Sequence, residues 1–258
     1  MRAIVIFLSA GFFFSANARA QQKPNAKKQS ETQERARALI QSAYQYQNKL
    51  SDSSITIDQA LRNWSATARN SDVRKDDDAL AIAFGCEAIL MIQKNDSHSA
   101  DSLFRRSIPL FRKKSSKESI IVAYAEFERS QKYNSAAIAA YDEIVHTMDS
   151  VPELWNIDYY RLSGYAPYAY AIDASFGVAQ IAATDTAHRA KAIALLRDTY
   201  RRHPYDAIGV IDVVALHWLG ELTAEDYRFK IDLICSRKPE LRKAADLFEK
   251  KFAELGKL

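Results

Sequence analysis

Apolar residues recur every three or four positions along nearly the whole chain from Glu31 onward. That is the period of helices with one buried face. No window alternates apolar and polar residues as a half-buried strand would. Only 7 glycines and 6 prolines interrupt 258 residues, several of them at the ends of periodic runs. The pattern predicts helices over 31–50, 56–69, 77–94, 97–112, 117–131, 134–148, 152–162, 167–182, 186–202, 206–220, 223–236 and 238–255. Ser97 and Ser116 stand before predicted helices, and Thr223 precedes Asp226 by three residues, as helix-capping residues do. Asp76, Asp77 and Asp78 open another helix, where carboxylates interact well with the N-terminal dipole. A metal cluster is the sharper reading of that triplet, but a hard cation needs ligands arranged around it rather than along one helical turn.

Helices joined by short turns invite a search for repeats. Ala88, Ala100 and Phe104 recur as Ala125, Ala137 and Tyr141, each offset by 37 residues. In both copies the two alanines are 12 residues apart and the aromatic follows the second by four. Small residues let two antiparallel helices close on each other, and the aromatic fills the groove on the same face.

In these residues the chain resembles the tetratricopeptide repeat family, whose motif sets a small residue, an Ala and an aromatic at those spacings. The segment IIVAYAEFERSQKYNSAAIAAY is the fullest copy, with Ile121, Tyr124 and Ala125 on its first helix and Tyr133 at the turn. It departs from the family pattern at Glu128 and Asp149, where Tyr and Pro are usual. The period is 37 residues, longer than the family's, so the extra residues fall between repeats in Lys113–Glu118. Ala60 with Trp64, and Ala192 with Leu196 and Pro204, look like weaker flanking copies. The resemblance implies an all-α fold in which helical hairpins stack as a right-handed solenoid over 31–205. A helical cap over 206–258 would close it, with Leu241, Ala244, Ala245, Phe248 and Phe252 on one face of the last helix.

Ala137 and Ala192 are 55 positions apart, too far for one repeat. The interval holds the most aromatic stretch of the chain, WNIDYYRLSGYAPYAYA, Trp155 to Ala171. Helical spacing puts Trp155, Tyr159 and Leu162 on one apolar stripe, then Tyr168, Ile172, Phe176 and Ala179 on the next. Tyr160, Tyr165 and Tyr170 fall off those stripes. They are candidates for a partner-binding surface, since tyrosine supplies rigid contact area with a polar tip.

The N-terminus changes the cellular picture. Arg2, the uncharged run Ala3–Phe14 and the small residues Ala18 and Ala20 form the pattern of a cleaved signal peptide over 1–20, with the cut after Ala20. Twelve apolar residues fall short of the roughly 20 that span a bilayer. A polar leader over 21–30 follows. Loss of Arg2 and Arg19 leaves 34 basic and 32 acidic residues, a net charge of +2. That near-neutral balance, together with export to the periplasm or beyond, argues against nucleic acid as a partner. Cys86 and Cys235 sit on apolar faces and read as two buried free thiols rather than a disulfide or metal ligands.

One basic run stands out: Arg105, Arg106, Arg112, Lys113, Lys114 and Lys117, with no acidic residue among them. It is either a solvated face and turn or a patch for an acidic partner or an anionic envelope surface. The five histidines are scattered and offer no metal face. Nucleophile-elbow and phosphate-loop patterns are missing, and no acidic residue is set off by its context. No metal or cofactor is implied. The sequence therefore reads as an exported, non-enzymatic scaffold that binds a protein or peptide. The alternatives are an envelope enzyme that processes glycan or peptide with a carboxylate on a helical frame, and a small-ligand sensor.

Overall fold

The structure is a computed structural model; it describes residues 24–112, 118–149 and 167–256, without the side chains of 24–28, 118, 147–149 and 167–169. Every regular element among these residues is helical. The α-helices are α1 (Pro24–Asn48), α2 (Ile57–Arg69), α3 (Asp77–Gln93), α4 (Ser97–Ser107), α5 (Glu118–Ser130), α6 (Asn134–Asp149), α7 (Pro167–Thr184), α8 (Arg189–Arg202), α9 (Ala207–Trp218), α10 (Ala224–Arg237) and α11 (Arg242–Leu255). The helix expected over 152–162, and the signal peptide, lie outside the described residues.

Local chemistry sets most of the boundaries. Thr56 and Gln59 form a reciprocal capping box at the start of α2, which satisfies two otherwise orphaned donors. Asp76 accepts the Ala79 N–H at 3.0 Å to start α3. Thr223 accepts the Asp226 N–H at 3.1 Å to start α10, as expected. The cap of α4 is Asp96, not Ser97: Asp96 accepts from the Ser99 N–H at 3.0 Å, and Ser97 is the first helical residue. A carboxylate at that position also complements the dipole. Helix α1 begins at Pro24 and takes in most of the stretch read as a leader. Proline suits a first helical turn, and Lys, Gln and Ala extend it well. Helix α4 gives way at Ser107 to a 3-10 turn, Ile108–Leu110, because Pro109 has no N–H to continue it.

Three turns share one geometry. Asn95, Lys132 and Gly220 follow α3, α5 and α9 with φ of 61°, 65° and 76°. In each, the residue after it donates back five positions, Asp96 to Met91, Tyr133 to Glu128 and Glu221 to Leu216, at 3.0, 2.9 and 2.8 Å. These are Schellman closures. The first two lie 37 residues apart, the offset of the sequence repeat.

The described residues form two compact units, one up to Ala123 and one from Tyr124, with the boundary inside α5. In the first, α2 packs on α1 and α3, α3 on α4, and α1 also meets α3. Trp64 is fully buried there, edge-on to Tyr44 with ring centroids 5.0 Å apart. In the second, α6, α7, α8 and α9 each pack on the next, while α7 also meets α9 and α9 also meets α11. Within each unit, then, several consecutive helices are in contact, and so are some alternate ones.

The repeat residues are core. Ala88, Ala100 and Phe104, and Ala125, Ala137 and Tyr141, are all 0 % exposed. Ala60, Trp64, Ala192 and Leu196 are buried as well. The apolar stripe of α7 differs from expectation. Ala171, Ala174, Val178 and Ile181 are buried, whereas Ile172 and Phe176 are half-buried. The reason is packing on several sides: α7 meets α6, α8 and α9, its buried positions are mostly small, and the larger Phe176 is left half-buried. It stacks on Phe252 of α11 at 4.6 Å and meets Phe248 edge-on at 6.1 Å. That contact docks α11 through the face expected for it, with Leu241, Ala245, Phe248 and Phe252 buried. Cys86 and Cys235 are both free and buried.

Candidate functional site

In the second unit, Tyr141 ties three successive helices together. Its ring leaves α6 and lies directly on Gly177 of α7. A Cβ built on Gly177 would stand 2.2 Å from both Cζ and Oη of Tyr141. Only a residue without a side chain lets the ring pass there. The Tyr141 hydroxyl donates to Oε1 of Glu126 on α5, and Arg129, one turn further along α5, donates to Oε2 of the same carboxylate. Burial and the neighbouring Glu126 push the phenol upward, so Tyr141 is a neutral donor at any ordinary pH. Burial opposes the charge on Arg129, but Glu126 and Tyr141 hold the guanidinium above its usual value.

A second carboxylate faces this group. Asp173 on α7 is exposed as a residue, yet its carboxyl sits in a partly enclosed position. Burial pushes it up to about 6, Lys251 of α11 opposes that rise, and the Glu126 charge adds to it. Lys251 itself lies over the Phe176 ring at 5.2 Å. Tyr170 stands one turn before Asp173 on α7 and is half-buried. The unit therefore presents an aromatic, two carboxylates, a guanidinium and an ammonium on neighbouring helices. Such a set can grip a polar or charged segment, and Asp173 can hold or release a proton near neutral pH.

The other expected site residues are distributed as follows. Tyr160 and Tyr165 lie outside the described residues, as do Lys113 and Lys114. Arg105 pairs with Asp101 at 2.8 Å on its own helix. The Arg106 guanidinium lies 4.0 Å over the Phe84 ring. Arg112 reaches back to α3, its Nε 3.1 Å from Asp77 and its backbone N–H donating to Asp78 at 2.7 Å. The described part of the basic run is thus engaged within its own unit. The three aspartates at the start of α3 are occupied in the same way: one caps the helix and two hold Arg112.

Glu126, Arg129 and Asp173 were not singled out by sequence, because their meaning depends on three helices meeting. Asp212 carried a readable signal. It is an acid inside the apolar run AIGVIDVVAL of α9 and is 0 % exposed. Groups of His, Cys, Asp or Glu able to hold a metal do not occur among the described residues. No helix among them is long and apolar enough to cross a membrane.

The chain matches no protein-family model, no curated protein and no solved structure.

Proposed function

We propose that the chain is an exported, tetratricopeptide-like scaffold that holds a protein or peptide partner and performs no reaction on it. One observation carries the reading: alternate helices touch as well as consecutive ones, α1 with α3, and α7 with α9 with α11. That is how hairpins pack when each repeat contacts its neighbours. The complete burial of all six repeat residues supports the same register. The binding residues are Tyr160, Tyr165 and Tyr170, which would hold the partner through aromatic contact area and polar tips. The basic run Arg105, Arg106, Arg112, Lys113 and Lys114 is a secondary contact, resting chiefly on its two lysines. The expected location is the periplasm or the exterior, after cleavage behind Ala20.

The test has two parts. N-terminal sequencing of the protein from the cell envelope should begin at Gln21. Tagged mature protein should retain a discrete partner from envelope extract, and Tyr160, Tyr165 and Tyr170 changed together to Ala should lose it with helicity unchanged. Capture that survives the triple change, or a chain that keeps Met1 and stays in the cytoplasm, contradicts the proposal.

The carboxyl of Asp173, raised to about 6 beside Glu126, favours one second reading. In it the chain processes an envelope glycan or peptide with Asp173 as proton donor. Release of soluble fragments from purified envelope glycan by wild type and not by Asp173→Asn would put that reading first.

A further inference from the structure

The acid buried in α9 belongs to none of the surfaces above. Asp212 lies in mid-helix, with its Oδ1 accepting from the Ser175 hydroxyl of α7 at 2.7 Å. Its Oδ2 accepts no hydrogen bond from the described residues. One neutral hydroxyl is poor compensation for a carboxylate removed from water, since a buried charge is costly unless it is paired and hydrogen-bonded. Helix α9 packs on α7, α8, α10 and α11. Among the described residues, the charged groups whose fields reach Asp212 are Asp206, at the N-cap of its own helix, and Arg202, at the end of α8. Asp206 repels a charge on Asp212. Arg202 attracts it, but its Nε already stands 3.0 Å from Asp198. The Asp206 carboxylate is in turn 3.4 Å from Nδ1 of the buried His203 and accepts from the Ile208 and Gly209 N–H groups.

We propose that the Asp212–Ser175 contact is a pH-sensitive latch between α7 and α9, closed while the buried Asp212 carboxyl is neutral and loosened when its proton passes to solvent and leaves a charge that the one Ser175 hydroxyl cannot compensate. Burial is the largest influence on this group and pushes its carboxyl well above the usual range, against the Ser175 hydrogen bond, which favours the ionised form. The unfolded chain releases the same proton near the ordinary value of about 3.9. The latch therefore gives its full stability below that value and loses it as the pH rises through the folded value. Because α7 carries Tyr170 and Asp173, the packing of that surface is tied to the acidity of the compartment.

The test uses the full chain in urea unfolding, and hydrogen exchange of the α7 and α9 amides, at about pH 5, 6.5 and 8. Asp173 and Glu87 are also raised by burial and titrate with the same sign. The quantity to follow is therefore the gap between wild type and Asp212→Asn. That gap should move in favour of the variant by up to roughly tenfold in folding constant per pH unit, the slope for one proton. Exchange in α7 and α9 should quicken with pH in wild type and stay level in the variant. A gap independent of pH overturns the proposal. Should Asp212→Asn not fold, the carbon resonance of the Asp212 carboxyl in wild type decides. A neutral carboxyl at about pH 5 supports the latch, and an ionised one there overturns it.

Discussion

Replacing Gly177 by Ala adds one methyl group to the tightest contact in the second unit. Its Cβ would fall 2.2 Å from Tyr141 Cζ and Oη and 2.7 Å from Cε2. Unstrained carbon contacts lie at about 3.5–4.0 Å, so the ring must retreat by more than ~1 Å. It has nowhere to go. Tyr141 is 0 % exposed, and its hydroxyl is held by Glu126. Forced overpacking of this kind costs about 1–3 kcal/mol, occasionally more. Leu at position 141 ends before all three clashing atoms. In a Tyr141→Leu background the added methyl meets open space, and Ala is favoured over Gly in a helix interior by about 0.5–1 kcal/mol. The sign of Gly177→Ala therefore reverses, and because the helix preference is the same in both backgrounds the coupling between the two positions is the overpacking cost, about 1–3 kcal/mol. Urea unfolding of wild type, both single variants and the double variant, followed by far-UV circular dichroism, measures it. Equal destabilisation by Gly177→Ala in both backgrounds would show that Tyr141 does not lie over Gly177.

Other outcomes follow from single contacts. Lys132, with φ of 65°, occupies a left-handed turn position that glycine takes at Gly220; Lys132→Gly should raise stability by about 0.5–1 kcal/mol in urea unfolding, and Gly220→Ala should lower it by about 1–2 kcal/mol. The Cys86 thiol is 0 % exposed, contacts the Tyr44 hydroxyl at 3.4 Å and is pushed by burial up to about 12. It should resist iodoacetamide at about pH 8 until the chain unfolds, as intact-mass analysis can follow. The Asp173 carboxyl, raised by burial to about 6, gives stability that is complete below the unfolded value and lost as pH climbs through the folded one. Asp173→Asn should therefore gain on wild type in thermal unfolding above about pH 6 and show no gain near pH 4.

The helices were legible because their signals are local. Thr223 and Asp76 stand at the helix starts read for them, though Asp96 and not Ser97 caps α4, and the 37-residue offset picks out six residues that prove to be fully enclosed. What escaped the sequence was relational. Periodicity put Ile172 and Phe176 at the centre of the apolar stripe of α7, but a helix packed on several sides has no single stripe. Its small residues Ala171 and Ala174 are fully buried, Gly177 admits the Tyr141 ring, and Phe176 is left to α11. The basic run looked uncompensated because the acids that hold Arg112 lie 34 and 35 residues earlier, on α3. Glu126, Arg129 and Asp173 look like ordinary surface charges until three helices bring them together. Asp212 was overlooked although it is a lone acid in an apolar run, and its partner Ser175, 37 residues away, carries no comparable mark.

The most direct test of the scaffold reading is photo-crosslinking in the cell, with a benzophenone side chain placed singly at Tyr170 on α7 and at Phe229 on α10. Phe229 is 69 % exposed and serves as the outer control. Tyr170 should yield one discrete crosslinked species in the envelope fraction, and Phe229 should yield none. Crosslinks from Phe229 alone, or from neither position, would contradict a partner held on the face of α7.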